Sequence, residues 1–152
     1  MLNRRKMLSH SARVAAMLAT VGLLPQAAHA AYNAPAFEIK TMAELIKSLG
    51  GGAPTETKDI TVTAPDIAEN GAVVPVGVST ALPGVKKLLV LVEKNPSVLS
   101  AIFNMTDAID ANVSTRVKMG QSSNVYAVAM MADGKVLFAQ KEVKVTLGGC
   151  GG

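Results

Sequence analysis

An all-β fold, an immunoglobulin-like β-sandwich of about seven strands, is what this 152-residue sequence predicts. Three observations lead there. From Lys58 onward apolar residues recur with period two, the spacing of half-buried strands. Turn signals at 70–71 (Asn-Gly), 83–84 (Pro-Gly), 95–96 (Asn-Pro) and 133–134 (Asp-Gly) cut that region into short pieces. Only one stretch, "TMAELIKSLGGG", carries helical spacing, so one short N-terminal helix precedes the strands. There is no Cys…Trp…Cys core, so the immunoglobulin likeness is one of architecture alone.

The first thirty residues stand apart from the fold. Arg4, Arg5 and Lys6 form a basic head, an apolar run extends from Val14 to Leu24, and Ala28-His29-Ala30 is an A-x-A cleavage signature. The apolar part is too short for a stable membrane span. Residues 1–30 therefore read as a signal peptide, cleaved near Ala30. The pair Arg4-Arg5, with Met7 and Leu8 behind it, resembles a twin-arginine signal, with Met7 standing where the usual Phe would be; that route exports proteins already folded. The expected address is the periplasm, with no membrane association after cleavage.

Removing that segment changes the chemistry available. It takes away four basic residues and no acidic ones, leaving eleven of each sign and no net charge. The sequence pI of 9.3 thus belongs to the signal, and no nucleic-acid partner is expected. Both histidines, His10 and His29, leave with it. A Ser-His-Asp triad, a Cys-His pair and a histidine metal site are all excluded from what remains, and no cofactor or metal is expected. The usual acid–base group near neutral pH is missing, so the chain reads as something other than an enzyme. About 122 residues remain, enough for one domain with one core, assigned to 31–147.

Along that domain, residues 31–39 read as a loose lead-in. Thr41 with Glu44 three residues later is a capping box, Leu45, Ile46 and Leu49 form the apolar stripe, and 50–52 (Gly-Gly-Gly) stop the helix. "DITVTAP" alternates Ile60, Val62 and Ala64 against polar residues. "AVVPVGVST" follows the "ENG" turn, and Pro75 within it predicts an edge position or a bulge. "LLVLV" at 88–92 suits a strand covered on both faces. "SVLSAIFNM" and "NVSTRVKMG" follow, the latter with Val113, Thr115, Val117 and Met119 on one face. "SNVYAVAMM" leads to Asp133-Gly134, a type I′ hairpin signal. In the last strand Val136 and Phe138 share one parity while Val143, Val145 and Leu147 share the other, which predicts a bulge near 139–142.

After Leu147 the sequence reads "GGCGG". Cys150 is the only cysteine, flanked by Gly148, Gly149, Gly151 and Gly152. A lone thiol in an exported protein points to intermolecular pairing or a free reactive group. Burial in the chain's own core is ruled out, because nothing after Leu147 can anchor it. Glycine on both sides removes side-chain bulk and leaves φ unrestricted, so the segment 148–152 can act as a flexible arm that enters a narrow channel elsewhere. No histidine can activate the thiol, and the Gly152 carboxylate disfavours the thiolate, so activation is expected from whatever protein receives the arm.

These residues resemble a known family. "STRVKMGQSSNVYAVAMMADGKVLFAQKEVKVTLGGCGG", with the upstream "PDIAENGAVVPVGV", the twin-arginine-like signal and the single cysteine in a terminal GGCGG, is similar to SoxY, the sulfur-carrier subunit of the SoxYZ complex of bacterial thiosulfate oxidation. The resemblance covers essentially all of 31–152. It departs chiefly in the Met-rich "AVAMM" strand and the "TDAIDAN" loop. It implies an immunoglobulin-like sandwich that is not itself an enzyme and pairs with SoxZ. It implies that Cys150 carries sulfur intermediates covalently while partners act in turn. Haem-containing SoxAX couples thiosulfate to the thiol, SoxB, a di-manganese hydrolase, releases sulfate and leaves a persulfide, and SoxCD, where present, oxidises the remaining sulfane sulfur.

Other features read more plainly. Met130-Met131 suit apolar packing better than copper, and Asp107 and Asp110 suit a solvated loop better than a cation site. Lys141 and Lys144, near the arm, could steer anions but read first as solvent-facing lysines. Ubiquitin-like sulfur carriers also end in Gly-Gly, but they use the terminal carboxylate in the cytoplasm, against both the signal and Cys150. The remaining alternative is an exported structural sandwich that dimerises through a Cys150 disulfide.

Overall fold

The computed structural model of the protein describes residues 34–146. The lead-in is more ordered than a loose segment: Ala34–Glu38 form a short 3-10 helix. Burial is the reason, since Ala36 is almost fully covered and Phe37 packs against the same apolar cluster. The one α-helix, α1 (Met42–Ser48), starts where the capping box predicts. Thr41 Oγ1 accepts the Glu44 amide at 3.3 Å and donates to the Glu44 carboxylate at 2.9 Å. Leu45 and Ile46 are buried on its inner face. Among the described residues no helix is long and apolar enough to cross a membrane.

Nine strands follow, against about seven expected. They are β1 (Pro54–Glu56), β2 (Ile60–Thr63), β3 (Ile67–Ala68), β4 (Val74–Thr80), β5 (Val85–Val92), β6 (Leu99–Asn104), β7 (Asn112–Val117), β8 (Ser123–Met131) and β9 (Val136–Val145). The unexpected ones, β1 and β3, are two or three residues long, too short to show a period. Both pair in parallel with β9, on the flank away from β8. Between them the chain crosses to the other sheet as β2. The large sheet runs β1-β9-β8-β5-β6, with β3 also on β9, and the small sheet runs β2-β4-β7. This is the expected β-sandwich, with the helical segments as an added layer on the outer face of the large sheet.

Strand β5 shows why the layers assemble. Leu88, Val90 and Val92 face the small sheet and pack with Val74, Val76 and Val78 of β4. Leu89 and Leu91 face the other way and pack with Leu45 and Ile46 of α1 and Val128 of β8. Residues 88–92 are all fully buried, which is the unbroken apolar run the sequence displays.

Four local expectations are corrected. The bulge near 139–142 is absent, because β8 and β9 pair without a register shift from Ser123↔Val143 to Met130↔Val136. The change of phase instead reflects coverage. Val136 and Phe138 lie under the helical layer, while Leu137, Ala139, Val143 and Val145 face the small sheet along the strand's whole length. Past Phe138 the outer face is open, so Gln140, Glu142 and Lys144 are polar and exposed. The hairpin at Asp133-Gly134 is real but is not type I′. Only Gly134 has positive φ (+85°), Gly134 N donates to the Met131 carbonyl, and Asp133 Oδ1 accepts the Lys135 amide at 3.0 Å. That is the three-residue loop with one left-handed glycine. Pro75 sits in β4, the middle strand, but β2 pairs only with residues 77–80, so the flank beside Pro75 is open. Lys141 is not an ordinary solvent-facing lysine, as its contacts below establish. Met130 and Met131 point to opposite faces and join different apolar clusters, so apolar packing is what they do.

Candidate functional site at the root of the C-terminal arm

Cys150, Gly148, Gly149, Gly151 and Gly152 lie outside the described residues, as do Leu147 and the signal residues Arg4 and Arg5. What the structure does place is the strand end that precedes residues 148–152.

Three successive backbone amides at that end are held by three different partners. Lys144 N donates to the Asp66 carbonyl at 2.9 Å, and Thr146 N donates to the Ala68 carbonyl at 3.1 Å. Both bonds run to the β3 flank. Val145 N points to the opposite flank, as alternation along a strand requires, and donates to Ser122 Oγ at 2.9 Å. By the β8–β9 register, β8 no longer has a residue in place to pair with Val145, because its first residue, Ser123, is opposite Val143. The Ser122 hydroxyl takes over that role. Strand β9 is thus fastened on both flanks up to Thr146.

The surrounding loops are equally tied. Asn95 Nδ2 donates to the Lys118 carbonyl at 2.7 Å, and the buried Ser123 hydroxyl accepts the Lys94 amide at 3.1 Å. Met119 N donates to the Gly71 carbonyl at 2.7 Å. Gly71 is where glycine is needed: a Cβ there would overlap the Met119 carbonyl oxygen and come within 2.8 Å of a Val145 methyl. Ile67 of β3, paired with Lys144, is one of the exposed large apolar residues.

Lys141 and Lys144 part company. Lys144 is exposed. The Lys141 ammonium is 2.6 Å from the Ala64 carbonyl oxygen and 2.9 Å from Asp66 Oδ1. Sequence reasoning missed Ser122 and Asp66 as root residues, and it placed Lys141 near the arm but as a solvent-facing lysine. A signal existed for the last: Lys141 shares the parity of Ala139, Val143 and Val145, an odd place for an exposed lysine. The resolved pKa shifts lie elsewhere. Tyr126 is raised, first by burial and then by the nearby Glu93 carboxylate. Asp133 is lowered by hydrogen bonds from Lys135, at the end of the hairpin opposite the arm.

The comparisons with known proteins bear on this geometry directly. The family described as sulfur oxidation protein SoxY matches residues 46–150, a span that reaches from α1 to Cys150. The chain belongs to the SoxY family. The solved sulfur carrier protein SoxY from Chlorobium limicola f thiosulfatophilum is 34% identical, with a TM-score of 0.63 over 71% of this chain and 97% of that one. The match takes in nearly all of the solved relative. Two superoxide reductase (neelaredoxin) structures from Ignicoccus hospitalis share the fold alone. One is 17% identical (TM-score 0.55, 71% of this chain, 100% of that chain), and the other 19% (0.51, 68% and 87%). No curated protein matches the chain.

Proposed function

We propose that this SoxY-family chain is a covalent carrier of sulfur intermediates in thiosulfate oxidation, with Cys150 as the attachment point and residues 148–152 as its arm. The observation that carries the reading is the family match that runs through to Cys150, joined to 34% identity with a solved sulfur carrier. The pinned root supports it: hydrogen bonds on both flanks hold β9 up to Thr146, which gives the glycines that follow in sequence a fixed base.

The chemistry suits cysteine. Its thiolate forms sulfur–sulfur bonds that can be broken again. Coupling to thiosulfate joins the thiolate sulfur to the sulfane sulfur and gives Cys–S–S–SO3⁻. The thiolate and thiosulfate together lose two electrons, which pass to the haem of the SoxAX partner. Hydrolysis by SoxB then adds water across the S–SO3 bond, releasing sulfate and two protons and leaving the persulfide Cys–S–S⁻. SoxCD would oxidise that outer sulfur to a sulfonate, with three waters supplying the oxygens and six electrons passing to the redox centres of that partner, and SoxB would add water across the S–SO3 bond to release a second sulfate and return the Cys150 thiolate. The chain itself supplies no catalyst in this scheme. It supplies the covalent tether, which keeps each intermediate at high local concentration for the next enzyme. SoxZ is the proposed stable partner, and the periplasm, reached through the twin-arginine signal at Arg4-Arg5, is the proposed compartment.

Thiol alkylation tests the assignment. The chain is incubated with thiosulfate and the haem-containing partner, then treated with iodoacetamide before and after reduction. Cys150 should resist alkylation only when both thiosulfate and the partner are present, and should recover on reduction. Protection by oxidant alone, accompanied by a reducible dimer, would instead establish the structural disulfide alternative.

A further inference from the structure

Lys141 faces the wrong way for a surface lysine. Ala139 and Val143, two residues to either side, face the sandwich core, as do Leu137 and Val145. The Lys141 side chain keeps only 35% of its exposure. Rather than leaving the fold, it runs out along the flank of β9 to the segment between β2 and β3. There its ammonium donates to the Ala64 carbonyl at 2.6 Å and pairs with Asp66 Oδ1 at 2.9 Å.

That segment in turn holds β9. The Asp66 carbonyl accepts the Lys144 amide, and the Ala68 carbonyl accepts the Thr146 amide. A side chain of β9 therefore secures the piece of chain that secures β9's own last amides. β3 needs the help. It is two residues long and pairs in parallel, and Ile67 in it is 57% exposed. Of the two Lys141 contacts, the carbonyl bond is the better sheltered. The Asp66 carboxylate is 88% exposed, so its pairing is screened by water and salt, whereas the bond to Ala64 is short, charge-assisted and half-sheltered.

We infer that Lys141 is a positioning residue for the arm: by holding residues 64–68 against β9 it fixes the strand end, up to Thr146, on which the arm is based. The inference rests on the carrier reading of Cys150. When Lys141 lets go, the β3 flank loosens and the Lys144 and Thr146 amides lose their partners, so that only the Ser122 contact at Val145 still holds the end of β9. The thiol then sweeps a larger volume, and its effective concentration at a partner's site falls.

The test uses the whole chain with a nitroxide on Cys150, together with hydrogen exchange of individual amides. Lys141→Met should speed exchange at Lys144 and Thr146 by about tenfold or more and narrow the nitroxide spectrum, while the core amide of Val128 changes by less than about threefold. Lys141→Arg, which keeps the charge and the donors, should return both readings to within about threefold of wild type. If Lys141→Met does not fold, Lys141→Gln is read by the same criteria. The inference is overturned if Lys144 and Thr146 exchange within about twofold of wild type, if Val128 accelerates equally, or if Lys141→Arg fails to restore them. None of these readings needs sulfur chemistry. A loosened root in a chain that cannot be loaded with thiosulfate would count against the carrier reading alone; normal loading with an unmoved root would count against Lys141 alone.

Discussion

The Ser122 hydroxyl meets both backbone polar groups of Val145: it accepts the amide at 2.9 Å and lies 3.5 Å from the carbonyl oxygen. One side chain thus does at the end of β9 what a strand residue does elsewhere in the ladder. Ser122→Ala leaves the Val145 amide to water or to nothing, at a cost of about 1 kcal/mol. The expected signature is local: faster exchange at Val145, with little change at Lys144, whose partner is Asp66. Unchanged exchange at Val145 would show that the hydroxyl is dispensable.

Gly71 and Gly120 make a matched pair of tests at the same pole. A Cβ on Gly71 meets the Met119 carbonyl and Val145, whereas a Cβ on Gly120 meets nothing within 4 Å. Gly71→Ala should lower the unfolding free energy by about 1–3 kcal/mol through overpacking. Gly120→Ala should be neutral or slightly stabilising. Equal urea midpoints for the two variants would contradict the close approach.

The outer core makes a larger contribution. Leu89 is fully buried between the large sheet and α1. Leu89→Ala should destabilise the fold by about 2–5 kcal/mol. Ile109, 57% exposed, should tolerate alanine to within about 0.5 kcal/mol. Denaturant melts that rank the two the other way would mean that the helical layer does not cover β5.

Tyr126 ties stability to alkaline pH. Burial and the Glu93 charge raise its pKa above 10.0, so folding favours the neutral phenol. The folded value exceeds the unfolded one. The contribution is therefore complete below pH 10.0 and is lost as pH rises through the raised folded value. Tyr126→Phe removes the titrating group and should show a shallower loss of stability above pH 10.0 than wild type. Parallel curves for the two proteins in that range would rule the linkage out.

Much of the sandwich is legible in particular residues. Leu88 to Val92 announce a doubly covered strand because both parities are apolar. Thr41 and Glu44 announce the start of α1 because a hydroxyl and a carboxylate three residues apart have little other local use. What escapes is what periodicity cannot encode. β1 and β3 are too short to repeat, and exist because β9 offers an open flank. The apparent bulge in β9 came from a helical layer that stops at Phe138, a tertiary fact that looks like a local one. The proposed arm, Cys150 among its glycines, lies outside the described residues. Its root was not legible in the sequence. Ser122 and Asp66 act through contacts 23 and 78 residues distant in sequence from Val145 and Lys144.

The central claim is that Cys150 carries sulfur, and intact mass measurement tests it most directly. Wild type and Cys150→Ala are each incubated with thiosulfate and the haem-containing partner, then with the hydrolase. Wild type should gain the mass of one thiosulfate-derived group, then lose its sulfone portion as sulfate and keep one sulfur atom; Cys150→Ala should gain nothing. Equal uptake by the two proteins, or a wild-type change limited to a reducible doubling of mass, would contradict the account.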